Sequence, residues 1–454
     1  MSSPEQELAA KGIVTETYRT GLRGGSGGAD GVPPAGIGRD DFYAYMLEHK
    51  YIFAPTGEVW PASSVDARLP TIDGIKASCW LDRNRPVEQM TWAPGLPTEI
   101  RGKLIAQGGW LERNGCSVFN LYRPPASKRV SGNVKPWLDH LERLYGEDAA
   151  HILKWCAHRV QRPQEKINHA LVLGGGQGIG KDTLLEPVKQ AVGAWNFAEV
   201  SPQQVLGRFN GFLKSVILRV SEARDLGDFD RFVFYDHMKS ITAAPPDVLR
   251  IDEKNRQEYC IPNVCGVIIT SNHKTDGIHL PADDRRHFVA WSGLEKKDFP
   301  AEYWNTLWHW YLNGGFSFVA HHLQNLDLAG FDPKAPPPQT DAFFEIVNSS
   351  RSPEDAELAD ALDRIAGMSV VNHWPDAVTL EDVAQATNQA SFAEYLRERR
   401  NSRRIPHRFE ACGYSQIRNP DAEDGLWRVN GRRQVIYGRR QLSFSERLAA
   451  ARKR

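Results

Sequence analysis

Cysteine is scarce in this chain, and what there is lies scattered. The six cysteines are Cys79, Cys116, Cys156, Cys260, Cys265 and Cys412, and no two form a C-x-x-C pair. That spacing excludes a zinc ribbon and a disulfide scaffold, and it fits a reduced compartment. No apolar run nears the roughly 18 residues of a membrane-spanning helix. The first thirty residues lack the charged-then-apolar pattern of a secretory signal. Net charge is also missing, because 56 Lys and Arg balance 56 Asp and Glu. No internal repeat is visible. These absences lead us to expect a protein of the cytoplasm, in a bacterial cell or an infected host cell, with no membrane partner.

The zero charge hides an imbalance. Residues 397–454 carry 16 Lys and Arg against 6 Asp and Glu. Such asymmetry suggests a segment that faces nucleic acid.

The most specific stretch is Gly174-Gly-Gly-Gln-Gly-Ile-Gly-Lys-Asp-Thr183, directly after the apolar run Ala170–Leu173. Gly175, four residues, then Gly180-Lys181 satisfies the core of a phosphate-binding P-loop between a strand and a helix. Backbone N–H groups of Gly175, Gly176, Gln177, Gly178, Ile179 and Gly180 would cradle phosphate oxygens. The following helix, from Asp182 to about Val192, would point its positive end at the same anion. Lys181 would reach the β- and γ-phosphates, which makes a nucleotide the expected ligand. The hydroxyl usual after the lysine is replaced by Asp182, and Thr183 follows. Either could hold Mg²⁺.

Further candidates sit at strand ends. Strands are expected at 170–173, 215–220 and 265–270. Glu222, just past the second, would orient the metal or the attacking water. Arg219 inside that run is odd for a fully buried strand. Asn272, past the third strand, would bond the γ-phosphate or the water. Arg285 and Arg286 present rigid cationic forks suited to a transferring phosphoryl group, supplied from a neighbouring subunit. Residues 238–255 read as a hairpin turning at Ala244–Asp247, lowering Lys239 and Lys254 toward a nucleic-acid backbone. Trp304, Trp308, Tyr311 and Phe316 read as core.

In this order and spacing these motifs resemble superfamily 3 helicases, most closely the helicase half of the poxvirus-like primase–helicases of phages and plasmids. The helical stretch Trp137–Arg162 looks like that family's lead-in. The resemblance covers roughly 130–320. It implies an AAA+-like ring, often a hexamer, with ATP at subunit interfaces and single-stranded DNA in a central channel. With no zinc motif and no clear carboxylate pair ahead of the lead-in, no primase activity is expected in this chain, and a separate primase is a candidate partner.

The rest of the organisation follows from composition. Residues 1–37 read as a flexible leader and 38–129 as an accessory α+β region, with Phe42–Met46 helical and a hairpin at 51–60. Residues 130–330 would be the ATPase domain, 331–340 a stiff proline-rich linker. Residues 341–454 read as three helices, opening at Thr379, Ser391 and Arg403, then strands near 426–429 and 434–437 around Asn430-Gly431. Gln416–Arg418 would add a short strand. That is a winged helix, with Arg403, Arg404 and Arg408 on the third helix and Arg432 and Arg433 at the wing, positioned for duplex DNA. The expected fold class is therefore α/β, a P-loop ATPase with a helical lead-in plus a winged helix. The expected function is an ATP-dependent DNA helicase or translocase of a mobile element. A small-molecule kinase and a DNA-scaffolded remodelling ATPase are the alternatives.

Overall fold

The computed structural model describes residues 36–221, 227–274, 278–349, 353–367 and 374–454. The chain divides into two compact units after Glu88, inside the stretch 38–129.

The first unit has strands β1 (Phe42–Tyr45), β2 (Lys50–Phe53), β3 (Glu58–Trp60) and β4 (Pro86–Val87). They form one sheet in the order β3-β2-β1-β4, covered by helices α1 (Ala62–Arg68) and α2 (Ala77–Asn84). The expected hairpin is present, with Tyr51 opposite Trp60. The expected helix at 42–46 is instead β1. Five residues are too few to show a helical period, and aromatic side chains fit a half-buried pleat. The Phe42 ring packs 5.1 Å from Phe53 and 5.2 Å from Trp60, a contact that extended pairing creates.

The second unit begins with β5 (Gln89–Thr91), β6 (Glu99–Ala106) and β7 (Gly109–Asn120). Two lead-in helices follow, α3 (Lys135–Tyr145) and α4 (Ala149–Gln161). Buried polar groups tie them to the main sheet and its first helix. The Arg159 guanidinium donates to the Val264 carbonyl at 2.7 Å, and Trp137 Nε1 donates to the Leu184 carbonyl at 2.9 Å.

The central strands are β8 (Ala170–Gly175), β9 (Phe197–Val200), β10 (Ile217–Val220), β13 (Gly266–Ser271) and β14 (His287–Ser292). They form a parallel sheet in the order β14-β8-β13-β10-β9. β8 and β13 are buried along their whole length, as near-continuous apolar runs in a covered parallel sheet should be. This strand order places the tips of β8, β13 and β10 side by side. Ligands of open α/β sheets bind at that carboxyl edge.

Helix α5 (Lys181–Val192) leaves the β8 tip and carries Pro187 in its interior. Proline has no N–H to give to the carbonyl four residues back. The orphaned acceptor is Thr183, and the Tyr311 hydroxyl donates to it at 3.0 Å. Tyr311 lies just beyond α7 (Ala301–Trp310), so this bond fastens α7 to the helix behind the glycine-rich loop.

The hairpin expected at 238–255 lies elsewhere. Met238–Thr242 closes helix α6 (Gly227–Thr242), and the hairpin is the next pair, β11 (Val248–Ile251) and β12 (Tyr259–Pro262). Pro245 and Pro246 end the helix rather than form the hairpin turn. Helix α8 (Phe316–Asn325) packs on α4 and α5. The proline-rich stretch 331–340 runs against the sheet, where the Pro333 carbonyl accepts from Asn168 N at 2.7 Å and Thr340 Oγ1 donates to the Val289 carbonyl at 2.6 Å.

The C-terminal part starts with α9 (Asp341–Ser349) and α10 (Pro353–Gly367). Then come β15 (Ala377–Thr379), α11 (Leu380–Ala386), α12 (Ala390–Arg397) and α13 (Ile405–Ala411). Thr379 caps α11 through a reciprocal capping box with Asp382. Strands β16 (Tyr414–Ile417), β17 (Trp427–Val429), β18 (Arg432–Gln434) and β19 (Ile436–Arg439) follow, then α14 (Phe444–Arg452). β19 lies between β15 and β16. The β17–β18 loop is shorter than expected: Val429 pairs with Arg432, leaving Asn430 (φ 49°) and Gly431 (φ 76°) as a two-residue turn. Both positive φ values suit the Asn-Gly hairpin turn. Leu358, Leu362, Val383, Phe392, Ile405 and Phe409 form the core beneath this sheet.

Candidate functional site

The loop from Gly174 to Gly180 sits at the β8 tip and is shaped by its neighbours. Gly180 has φ 94°, and a Cβ there would stand 2.4 Å from the Trp304 ring. The loop can lie this close to α7 only because that position is glycine. His140 Nε2 donates to the Gly180 carbonyl at 3.1 Å, while its Nδ1 accepts from the Tyr303 hydroxyl at 2.7 Å. These are the roles of a neutral imidazole with the proton on Nε2. Burial, with Arg143 nearby, holds His140 down to about 4, against a smaller upward pull from Gly180.

Lys181 is buried at the start of α5. Its Nζ donates to the Gly175 carbonyl at 2.7 Å, the Gly176 carbonyl at 2.9 Å and Asn272 Oδ1 at 2.8 Å. Burial lowers its pKa to about 8, the nearby Asp182 carboxylate opposes the shift, and Arg219 adds to it. Two residues singled out separately in the sequence, Lys181 and Asn272, are thus in direct contact.

Lys181, Asp182, Thr183, Thr270 and Asn272 line one cavity of about 290 Å³, together with Arg219. Arg219 is the site residue that sequence reasoning missed. Its guanidinium enters from β10, ion-pairs with Asp182 and approaches Thr270 Oγ1 at 3.4 Å. The signal was its oddness in an apolar strand. The Tyr145 hydroxyl, buried and without a hydrogen-bond partner among the described residues, feels both charges.

Trp304 and Trp308 were expected in the core and instead line the same cavity. Trp308 is 39% exposed. Their spacing of four residues puts both on one face of α7, a face that points at the loop because Tyr311 and Trp304 anchor it there. Tyr311 itself is buried, as expected.

The other candidates lie apart. Glu222 is outside the described residues. Arg285 and Arg286 sit at the far end of the sheet: the Arg286 carbonyl accepts from the Ala170 N–H at the start of β8, and β14 begins beside it. A six-residue strand spans about 20 Å, so neither guanidinium shares the cavity of its own chain. Arg285 is exposed. Next to them the buried Asp284 carboxylate accepts from the Tyr235 hydroxyl at 2.7 Å, Arg286 N at 2.9 Å and His287 Nδ1 at 3.0 Å. Burial would raise its pKa, but those donors win and hold it to about 2.

Lys239 ends helix α6, paired with Asp236 at 2.6 Å and lying over the Tyr235 ring, so it is not on the hairpin. Lys254 is exposed in the connection between β11 and β12. That connection is braced by Glu253, which accepts from Lys214 and from the Tyr259 hydroxyl, both at 2.7 Å.

In the C-terminal part, Arg403 and Arg404 are exposed just before α13, and Arg432 and Arg433 are exposed on β18. Arg433 also meets Asp424 at 2.9 Å. Arg408 does not face outward as expected. It donates to Asp355, to Glu354 at 3.2 Å and to the Tyr395 hydroxyl at 2.8 Å, bonding α13 to α10 and α12.

Comparison with known proteins agrees with this architecture. Residues 173–286 match a family described only as "Family of unknown function (DUF5906)". The match begins in β8 and ends at Arg286, so it contains the loop, β10, β13 and the arginine pair. A search of curated proteins finds no match. Among solved structures, the apo C-terminal region (305–718) of NrS-1 superposes with a TM-score of 0.58 at 16% identity, over 88% of this chain and 95% of that one. A second structure of that region, the A form, gives 0.57 at 16% identity over 88% and 96%. The chain therefore shares the fold of that region over most of its length. At this identity the likeness speaks to fold alone.

No helix among the described residues is long and apolar enough to cross a membrane.

Proposed function

We propose that this chain is an ATP-driven DNA translocase of the superfamily 3 helicase kind, acting in the replication of a phage, plasmid or other mobile element. The observation that carries the reading is the contact between Lys181 Nζ and Asn272 Oδ1 at the tips of adjacent strands β8 and β13. A P-loop lysine and a polar residue at the neighbouring strand tip are the two groups that must face one γ-phosphate from different sides.

The donor set suits a polyphosphate. The Lys181 ammonium, the Arg219 guanidinium and the N-terminus of α5 converge on one cavity. The backbone of Gly175–Gly180 and Lys181 would hold the phosphates of ATP, and Thr183, Asp182 and Glu222 are the candidates to hold Mg²⁺. The metal, when bound, supplies positive charge at the phosphoryl oxygens. Lys181 then stabilises charge on the transferred group, and Asn272 orients a γ-oxygen or the attacking water. Arg285 or Arg286 of a neighbouring subunit completes the site in a ring, a hexamer by the family resemblance.

Lys254 on the braced β11–β12 hairpin is the residue best placed to track a single strand. Helices α11–α13 with strands β15–β19 form a winged helix in this reading. Its exposed Arg403, Arg404, Arg432 and Arg433 contact duplex phosphates. A separate primase is a candidate partner, and the cytoplasm the expected location.

The test is ATP hydrolysis by the purified protein with and without single-stranded DNA, beside Lys181→Ala. Hydrolysis that rises with DNA and disappears in the variant is the expected result. Hydrolysis indifferent to DNA would favour a remodelling ATPase, and turnover only with a small acceptor would favour a kinase.

A further inference from the structure

The cavity at the loop has two kinds of wall. One is polar: Lys181 bonds Asn272, and Arg219 pairs with Asp182 and approaches Thr270. The other is apolar: Trp304, which stands against Gly180, and Trp308 are the only large apolar side chains that line the cavity among the described residues. The polar side accounts for phosphates and leaves no role for two indoles.

Trp304 is held in place. Its ring lies 5.2 Å from both Phe299 and Tyr303 and 5.7 Å from His140, and it backs onto Gly180. Trp308, one helical turn on, rests its edge against Tyr311 at 5.5 Å and leaves much of its surface open. Tyr311 bonds the Thr183 carbonyl, and Trp308 lines the cavity together with Thr183, in the first turn of α5. An indole kept 39% exposed at the rim of a phosphate cavity is an apolar π-face in search of a flat partner.

We propose that Trp308, backed by Trp304, is the wall on which the base of a bound nucleoside triphosphate stacks. This rests on the phosphate-loop reading of Gly174–Thr183 and adds the base subsite to it. Stacking needs only a π-face and no hydrogen-bond readout, so the wall provides affinity for a base as such.

Binding of two ligands separates the parts. ATP carries a base, and inorganic tripolyphosphate does not. Calorimetric titration of the full chain with each, in Mg²⁺, would compare wild type with Trp308→Ala, Trp308→Phe and Lys181→Ala. Trp308→Ala should weaken ATP about tenfold, the scale of one lost base–aromatic stack. It should leave tripolyphosphate unchanged, and Trp308→Phe should bind ATP nearly as wild type does. Equal ATP affinity in wild type and Trp308→Ala would overturn the proposal. So would parallel loss of both ligands in a folded Trp308→Ala protein, since the tryptophan would then be supporting the loop. If Lys181→Ala still binds both ligands, or wild type binds neither, the phosphate-loop reading itself falls and the base wall with it.

Discussion

Arg219 on β10 forms an ion pair with Asp182 in the first turn of α5. The pair matters because an unpaired carboxylate beside an incoming polyphosphate would repel it. Asp182 is largely exposed, whereas the Arg219 side chain is 11% exposed, so the arginine is the fixed member.

The consequence can be measured. Arg219→Ala should weaken ATP binding by about tenfold or more, because it removes a cation and bares an anion. Asp182→Ser alone should change binding little. The double variant should recover much of the loss. The expected coupling is about 1–2 kcal/mol, typical of groups in one ionic network. Additive losses in a double-mutant cycle would mean that Arg219 acts on the nucleotide without reference to Asp182.

The pKa of Lys181 gives a second prediction. Burial brings it down to about 8 in the free protein, so the ammonium is present at neutral pH and is lost as pH rises past that value. In the proposed site, phosphate binding needs the ammonium. Above about pH 8 the protein must take up a proton to bind, and affinity should fall by up to about tenfold per pH unit. Tripolyphosphate affinity, followed from near-neutral to alkaline pH, should therefore bend near that pKa. The bend should be absent in Lys181→Arg, whose charge does not titrate in that range.

The parts legible in the sequence were those set by local rules. The glycine spacing, the fully apolar strands β8 and β13 and the capping box at Thr379 each act within a few residues. Asn272 could be singled out because a strand's end is visible as the end of an apolar run. Arg219 could only be noticed as odd, because its partner is 37 residues away in sequence. Trp304 and Trp308 look like core in any sequence window. Their place at the cavity depends on Tyr311 satisfying a carbonyl freed by Pro187, a tertiary event. Phe42–Met46 failed for a related reason: five residues carry no period, and pairing with β2 decided the matter. Arg408 shows the limit of reading charge as surface, since its carboxylate partners lie on another helix.

Arg403 and Arg404 should separate cleanly from Arg408 in DNA binding. The first two are exposed. Replacing both by Ala should weaken duplex binding and flatten its salt dependence by about one unit of slope for each phosphate no longer neutralised. Arg408→Ala should act on folding. It strips Glu354 and Asp355 of their shared cation and should cost on the order of 1–3 kcal/mol. Thermal melting and fluorescence anisotropy on the wild type and both variants would check this. Weakened DNA binding by Arg408→Ala at unchanged melting temperature would reverse the assignment.

The position of Arg285 and Arg286 makes the last prediction. They stand about a strand's length from Lys181 in the same chain. If either serves the phosphoryl group, it must do so in a neighbour's site. Lys181→Ala and Arg285→Ala proteins should then each be nearly inactive alone. Mixed together they should regain hydrolysis. Where an Arg285→Ala subunit offers its intact loop to a Lys181→Ala neighbour, that neighbour still presents its arginine, and one complete site forms at the interface. Arg286→Ala should be run in parallel, because Arg286 is partly buried and Arg285 exposed, which makes Arg285 the one freer to reach across. Recovery with one arginine variant and not the other would name the finger. An Arg285→Ala or Arg286→Ala protein with full activity alone would remove that arginine from the site. Absence of recovery in mixtures of two inactive variants, under conditions where subunits exchange, would mean that the site is complete within one chain.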